Sequence, residues 1–238
     1  MPAPKANPTY MVTGKVRASY FFGIVPANDK DDNGNEVIKF RTQIIIPMSD
    51  KDTLDKIHAC CKAVTRDPKA LAKWGGAVPG KLTLPLRNGD TETDDDGKPL
   101  NPEVYKGMFF MNINSGNSQD GTPQKPGVIG PNGEPPYLMD DNGMPQKDRQ
   151  YGGSKYDPQF IVSGDYIRVS LRFYAYAVKG KKGISCALNN IQLLKKGEPL
   201  GGRKSAQDDF ADGFVDDSDP ADQAEGFDSD DPLAELLG

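Results

Sequence analysis

Three stretches of this chain hold residue types that could do chemistry. His58 lies close to Cys60 and Cys61, and a Cys/His set of that kind can hold zinc. It is the single histidine of the 238 residues, however, and no second ligand pair follows at zinc-site spacing, so a core or helix-surface role is the plainer account. Glu92, Asp94, Asp96, Gly97 and Glu103 match positions 1, 3, 5, 6 and 12 of a calcium-binding loop. Glu replaces Asp at the first of these, Pro99 sits within the loop, and the flanks read as strands rather than helices. That loop would suit a calcium-binding protein or a metal-dependent nuclease, and its plain alternative is a solvated turn. No phosphate-cradling Gly-x-x-x-x-Gly-Lys-Ser/Thr loop and no Gly-x-Ser-x-Gly elbow occurs, so nucleotide hydrolysis and acyl transfer lose their usual motifs. No catalytic residue, metal or cofactor is expected.

The third stretch, residues 165–178, alternates with period two. Ile167, Val169, Leu171, Phe173, Ala175 and Ala177 face one way, and Tyr166, Arg168, Ser170, Arg172, Tyr174 and Tyr176 the other. A strand face that mixes guanidinium groups with phenol rings supplies what single-stranded nucleic acid requires: positive charge for phosphates and π-faces for unpaired bases. The alternative is an ordinary solvated strand face.

Other elements share this character. Residues 9–25 read as a strand in which Tyr10, Val12, Val16, Ala18, Tyr20, Phe22 and Ile24 point inward and Lys15, Arg17 and Phe21 outward, with Gly14 and Gly23 marking bends. After an Asn33-Gly34 turn, residues 37–46 set Ile38, Phe40, Ile44 and Ile46 against Lys39 and Arg41. Ser49 and Asp52 are spaced as a helix cap, and Leu54, Ile57, Cys61 and Val64 recur at helical spacing over residues 50–65. A short helix is expected at 68–74, short strands at 82–86 and 104–114, a long loop insertion at 115–158 and a closing hairpin turning at 180–183. The second half of the insertion, with Lys125, Lys147, Arg149, Tyr151, Lys155 and Tyr156, could fold over a bound strand.

Charge divides the chain in two. Of 34 acidic residues, 12 lie in residues 208–238, which hold no Lys or Arg. Residues 1–207 therefore carry 22 acidic against 29 basic groups, a net of +7. A basic body attracts polyanions, and a tethered acidic tail too polar to bury itself is expected to be disordered and to compete with them. No run of about 18 apolar residues exists, and the first residues lack a signal-type apolar region, so a cytoplasmic protein is expected.

With these residues in view, the chain resembles the bacteriophage single-stranded DNA-binding proteins built on an OB-fold. The basic strands with interleaved aromatics, the hairpin over 166–194, the Gly197-Glu198-Pro199-Leu200-Gly201-Gly202 run and the acidic tail carry the resemblance. It implies a mainly β fold: an OB-fold-like five-stranded barrel with one main helix, over residues 1–207, and a tail over 208–238. The implied function is non-catalytic coating of single-stranded DNA in phage replication or recombination, in the host cytoplasm. Lys15, Arg17, Lys39, Arg41, Arg168 and Arg172 would meet phosphates, while Phe21, Tyr166, Tyr174 and Tyr176 would stack on bases. In the tail, Phe210, Phe214, Phe227, Asp230 and Asp231 would imitate a nucleotide chain, occupy the same groove and recruit replication or recombination proteins. A homodimer is compatible with this reading. A structural or scaffolding protein assembled through its charged tail is the remaining alternative.

Overall fold

In the computed structural model, the described residues are 7–30, 34–94, 96–118 and 121–200. The tail residues Phe210, Phe214, Phe227, Asp230 and Asp231 lie outside them. Five strands close a barrel. β2 (Val16–Lys30) pairs with β3 (Glu36–Pro47), β3 with β5 (Met108–Asn114), β5 in parallel with β8 (Lys181–Lys195), β8 with β7 (Tyr166–Val178), and β7 back to β2 at Val16↔Ile167. Three short strands extend this sheet: β1 (Tyr10–Val12) on β7, β4 (Arg87–Asn88) on β5 and β6 (Gly127–Ile129) on β8.

The inward set of β7 forms the core as its alternation requires, with Ile167, Val169, Leu171, Phe173 and Ala175 all buried, while Ala177 near the hairpin tip is exposed. From β3 come Ile44 and Ile46, from β5 Met111 and Ile113, and from β8 Ile184, Cys186, Leu188, Ile191 and Leu193. The helix α1 (Lys51–Val64) packs on β7 and β1, burying Leu54, Ile57, Cys60 and Val64. Its cap is Asp50, not Ser49: the Asp50 carboxylate accepts from the Thr53 N–H at 3.1 Å. All three cysteines are unpaired, with Cys60 and Cys186 buried in the core and Cys61 half-buried, and burial pushes the Cys61 thiol up to about 11.

Beyond residue 172 one edge of β7 lacks a strand partner, and the helix α2 (Pro68–Trp74) covers it. The Trp74 indole N–H donates to the Tyr176 carbonyl at 3.0 Å, and Lys73 Nζ to the Ala175 carbonyl at 3.2 Å. The expected strand at 82–86 contributes a single bridge, Thr83↔Gly183, and Leu84 is exposed. Of the strand expected at 104–114, residues 104 and 105 belong instead to the short helix α3 (Pro102–Tyr105), and β5 begins at Met108. The hairpin turns at Lys179 (φ 47°) and Gly180 (φ 77°), two successive left-handed residues as a tight primed turn requires, which is earlier than the 180–183 expected.

Two local irregularities reverse the expected faces of the N-terminal strand. The chain breaks between β1 and β2 where the Gly14 N–H meets Thr53 Oγ1 at 2.9 Å, and the phase resets, so that Met11 is buried and Tyr10 is exposed. A bulge then separates the Arg17–Ser19 and Phe22 pairings of β2 with β3, and Tyr20 adopts φ 45°. An inserted residue exchanges inside for outside. Tyr20 is consequently 66% exposed, and Phe21 turns inward to pack on the core beside Gly23.

Apart from β6, the described residues between 115 and 165 are a succession of tight turns laid on the barrel. Tyr151 meets buried Phe40 edge-on at 5.1 Å between centroids, and Tyr137 stacks on Tyr156 at 5.6 Å. Lys125 Nζ lies 4.4 Å from the Tyr156 ring centroid and 2.6 Å from Asp148 Oδ2. Lys125, Tyr151 and Tyr156 thus hold the insertion to itself and to β3, while Lys147, Arg149 and Lys155 are exposed. Burial alone would push the Asp148 carboxyl up, but Lys125 and the Tyr151 and Gln150 amides more than offset it, and the carboxyl lies below its ordinary range. Its stabilisation is therefore present above the unfolded pKa and disappears as pH falls through the depressed folded value. Asp148→Asn should cost about 2 kcal/mol by urea unfolding at neutral pH and abolish this acid-side dependence. Among the described residues no helix is long and apolar enough to cross a membrane.

Candidate nucleic-acid interface

The outer face of β3 and β5 changes character along its length. Directly opposed pairs run from Ile45↔Phe110 through Gln43↔Asn112 to Arg41↔Asn114. The apolar end is roofed by α3: Ile45, Phe110 and Tyr105 form a small second core, on which Leu200 also packs. The polar end is open. Two cavities of about 700 and 540 Å³ adjoin there, sharing Asn112 and Asn114 as lining. The larger runs to the β7–β8 hairpin and is lined by Lys39, Arg87, Tyr174, Tyr176, Lys179, Lys181 and Ser185. Tyr20, Asp29, Arg41 and Gln43 line the smaller.

Local chemistry sets each group in place. Gly183, opposite Tyr176, leaves room for its ring: a Cβ there would fall 2.6 Å from Tyr176 atoms. Arg41 lies 5.4 Å above the Phe22 ring, and Arg87 pairs with Glu92 while lying 5.0 Å from the Phe110 ring centroid. Asp29 is 3.6 Å from Lys39 Nζ and 3.9 Å from Arg41, partly neutralising both. At the junction with the second core, the buried Tyr105 hydroxyl donates to Gln43 Oε1 at 2.6 Å, and Gln43 Nε2 donates to Asn112 Oδ1 at 3.0 Å. Burial pushes the Tyr105 phenol up, so it remains a donor, and the relay leaves the exposed Asn112 amide nitrogen to donate into the groove. The arrangement can hold a chain of negative charges, offer rings for stacking and donate hydrogen bonds.

Four of the ten residues singled out from sequence, Lys39, Arg41, Tyr174 and Tyr176, line this groove. Three others gather elsewhere. Lys15, Arg17 and also Lys195 surround the Tyr166 ring at 5.5, 5.8 and 4.6 Å from its centroid. Arg17 further donates to the carbonyls of Gly164 (3.1 Å) and Glu198 (2.7 Å), pinning the chain where it leaves the barrel. Arg168 lines a third cavity with Tyr10, and exposed Arg172 is paired across strands with Tyr10. Phe21, being turned inward, does not share a face with Lys15 and Arg17. One strand face thus serves several surfaces, because β7 is long enough to run from the barrel's closure to the hairpin tip.

Sequence reasoning missed Tyr20, Arg87, Asn112, Asn114 and Lys179, and read Lys181 only as part of a basic hairpin tip. The basic hairpin tip was legible as Lys181-Lys182, but the amides carry no pattern of their own, and Tyr20 was assigned inward because its bulge leaves no mark on the alternation. The calcium-loop spacing serves another purpose. Asp94 Oδ1 accepts from the Asp96 and Lys98 amides at 3.0 and 2.8 Å, and Glu92, held below its ordinary range by Arg87, is that guanidinium's partner. Asp140 makes the same turn with Asn142 and Met144. Among the described residues no three His, Cys, Asp or Glu side chains converge to hold a metal ion.

A closed five-strand barrel of the OB type, with an outer groove lined by cations and exposed tyrosines, defines the class to which this molecule belongs. The family follows from the sequence: the model of the family described as Enterobacter phage Enc34, ssDNA-binding protein, matches residues 9–222, and the chain belongs to that family. Among solved structures, the single-stranded DNA-binding protein of bacteriophage Enc34 in complex with ssDNA is similar at 19% identity and a TM-score of 0.56, over 84% of this chain and 97% of that one. A second structure of the single-stranded DNA-binding protein from bacteriophage Enc34 gives 17% and 0.54, over 88% and 97%. Its C-terminal truncation gives 18% and 0.54, over 84% and 97%. At such identities the likeness is one of fold. No curated protein matches the chain in sequence.

Proposed function

We propose that this protein binds single-stranded DNA in the groove between the β3–β5 face and the β7–β8 hairpin, without catalysis and with little sequence preference, in phage DNA replication or recombination within the host cytoplasm. The carrying observation is the continuity of the two cavities through Asn112 and Asn114, which joins Tyr20 and Arg41 at one end to Tyr174, Tyr176 and Lys181 at the other. Cations that track a backbone, interleaved with stacking rings, suit an unpaired strand better than a duplex, whose bases are already stacked.

The acidic residues 208–238 act as a tethered competitor. The last described residue, Leu200, rests on Ile45, Tyr105 and Phe110, on the same outer face as the groove. Its Phe210, Phe214 and Phe227 imitate bases and its aspartates, Asp230 and Asp231 included, imitate phosphates; the same segment recruits replication or recombination proteins. The test is a titration of single- and double-stranded oligonucleotides across salt, with full-length protein and protein lacking 208–238. Single strands should bind more tightly than duplex, with affinity falling steeply as salt rises and increasing when the tail is removed. A duplex preference would refute the groove assignment, and unchanged or weaker binding without the tail would refute the competition.

A further inference from the structure

The cationic face of β7 continues beyond the groove. Arg168, Arg172 and Tyr174 lie on one side of a 13-residue strand whose exposed and buried positions alternate from Ile167 to Ala175, broken at Ser170 alone, which is buried. Tyr174 lies six positions beyond Arg168, about 20 Å along the strand. At Arg168 a third cavity, of about 470 Å³, opens between the two edge strands: Tyr10 and Val12 of β1 form one wall, Ile129 of β6 the other, and Arg168 and Gln192 belong to the floor.

This cavity has the same components as the groove. Tyr10 is 43% exposed, and its backbone is fixed by pairing with Arg172 and by its N–H donating to the Asn7 carbonyl at 3.0 Å. The Asn190 amide is held by Ser170 Oγ at 3.1 Å, and Gln192 Nε2 by the Gly130 carbonyl at 3.3 Å. Unlike Lys39 and Arg41, which share Asp29, neither Arg168 nor Arg172 makes an ion pair among the described residues. Two exposed arginines without carboxylates, four positions or about 13 Å of backbone apart, one of them directly opposite the exposed Tyr10, complement a polyanion better than an apolar protein surface.

We propose that the cavity at Tyr10 and Arg168 is a second station for the same DNA strand: a base stacks on Tyr10 while neighbouring phosphates pair with Arg168 and Arg172. The proposal rests on the groove being the primary single-strand site, and it makes affinity depend on oligonucleotide length. The experiment compares the full-length wild type with a variant carrying both Tyr10→Ala and Arg168→Ala, on oligo(dT) of about 6 and about 20 nucleotides, within and above the range of one OB-fold. The short strand, held by the groove alone, should bind both proteins within twofold. The long strand should bind the variant about tenfold more weakly or worse, and Tyr10→Phe, which retains the ring, should bind it as wild type does.

Equal loss on both lengths, or no loss on the long strand, overturns the second station. A change in oligomeric state by sedimentation without any length-dependent loss overturns it in favour of a contact between copies. Failure of the wild type to bind the short strand instead removes the groove assignment, and the extension with it.

Discussion

Replacing Tyr20 and Tyr174 together by Ala should weaken binding of single-stranded DNA by about thirtyfold or more and leave its salt dependence unchanged. Each base stacked on an aromatic ring contributes roughly 1–3 kcal/mol, so two lost stacks amount to at least about 2 kcal/mol. The slope of affinity against salt counts neutralised phosphates, which neither phenol provides. Removing Lys39 and Arg41 should do the converse, reducing that slope by roughly 0.7 per lost phosphate contact. A double tyrosine variant that changes only the slope would show that the rings do not stack. Tyr20 also provides an internal control. At φ 45° a non-glycine residue is strained, so Tyr20→Gly should keep or slightly raise the melting temperature while losing affinity, separating the exposed ring from the fold that displays it.

Phe173→Ala should destabilise the protein by about 3–5 kcal/mol, visible as a lower urea midpoint with little change in slope. Phe173 is 2% exposed and lies opposite Cys186 across the β7–β8 hairpin. The hairpin positions Tyr174 and Tyr176 only because its inner face is locked into the barrel, so the cavity left by the ring lies directly beneath the groove wall. An unchanged midpoint would mean that the hairpin contributes little to the barrel core.

The two halves of this design were unequally legible. β7 could be read residue by residue because both of its bulge-type register shifts fall on β8, leaving the alternation of β7 intact. Residues 9–25 could not, since the reset at Gly14 and the bulge at Tyr20 each exchange faces, and a bulge depends on what the opposite strand does. The same dependence concealed Asn112 and Asn114: they matter because they lie opposite Gln43 and Arg41, pairings between residues about 70 positions apart in the chain. The insertion read as a structureless loop because its turns bury few side chains, and Tyr151 finds its partner, Phe40, only across the fold.

By itself the sequence determined the mainly β character, the core face of β7, the main helix, the separation of a basic body from an acidic tail, and the presence of cations interleaved with rings. Those properties are local: they depend on period, composition and net charge. Only the tertiary structure decided where these groups act. It brought Lys39, Arg41, Tyr174 and Tyr176 into one groove, assigned Lys15, Arg17 and Tyr166 to the point where the chain leaves the barrel, carried Arg168 to a separate cavity and exchanged Phe21 for Tyr20. The physical reason is that a barrel closes through pairings distant in sequence, and the curvature and bulges that closure requires set the direction of each exposed side chain.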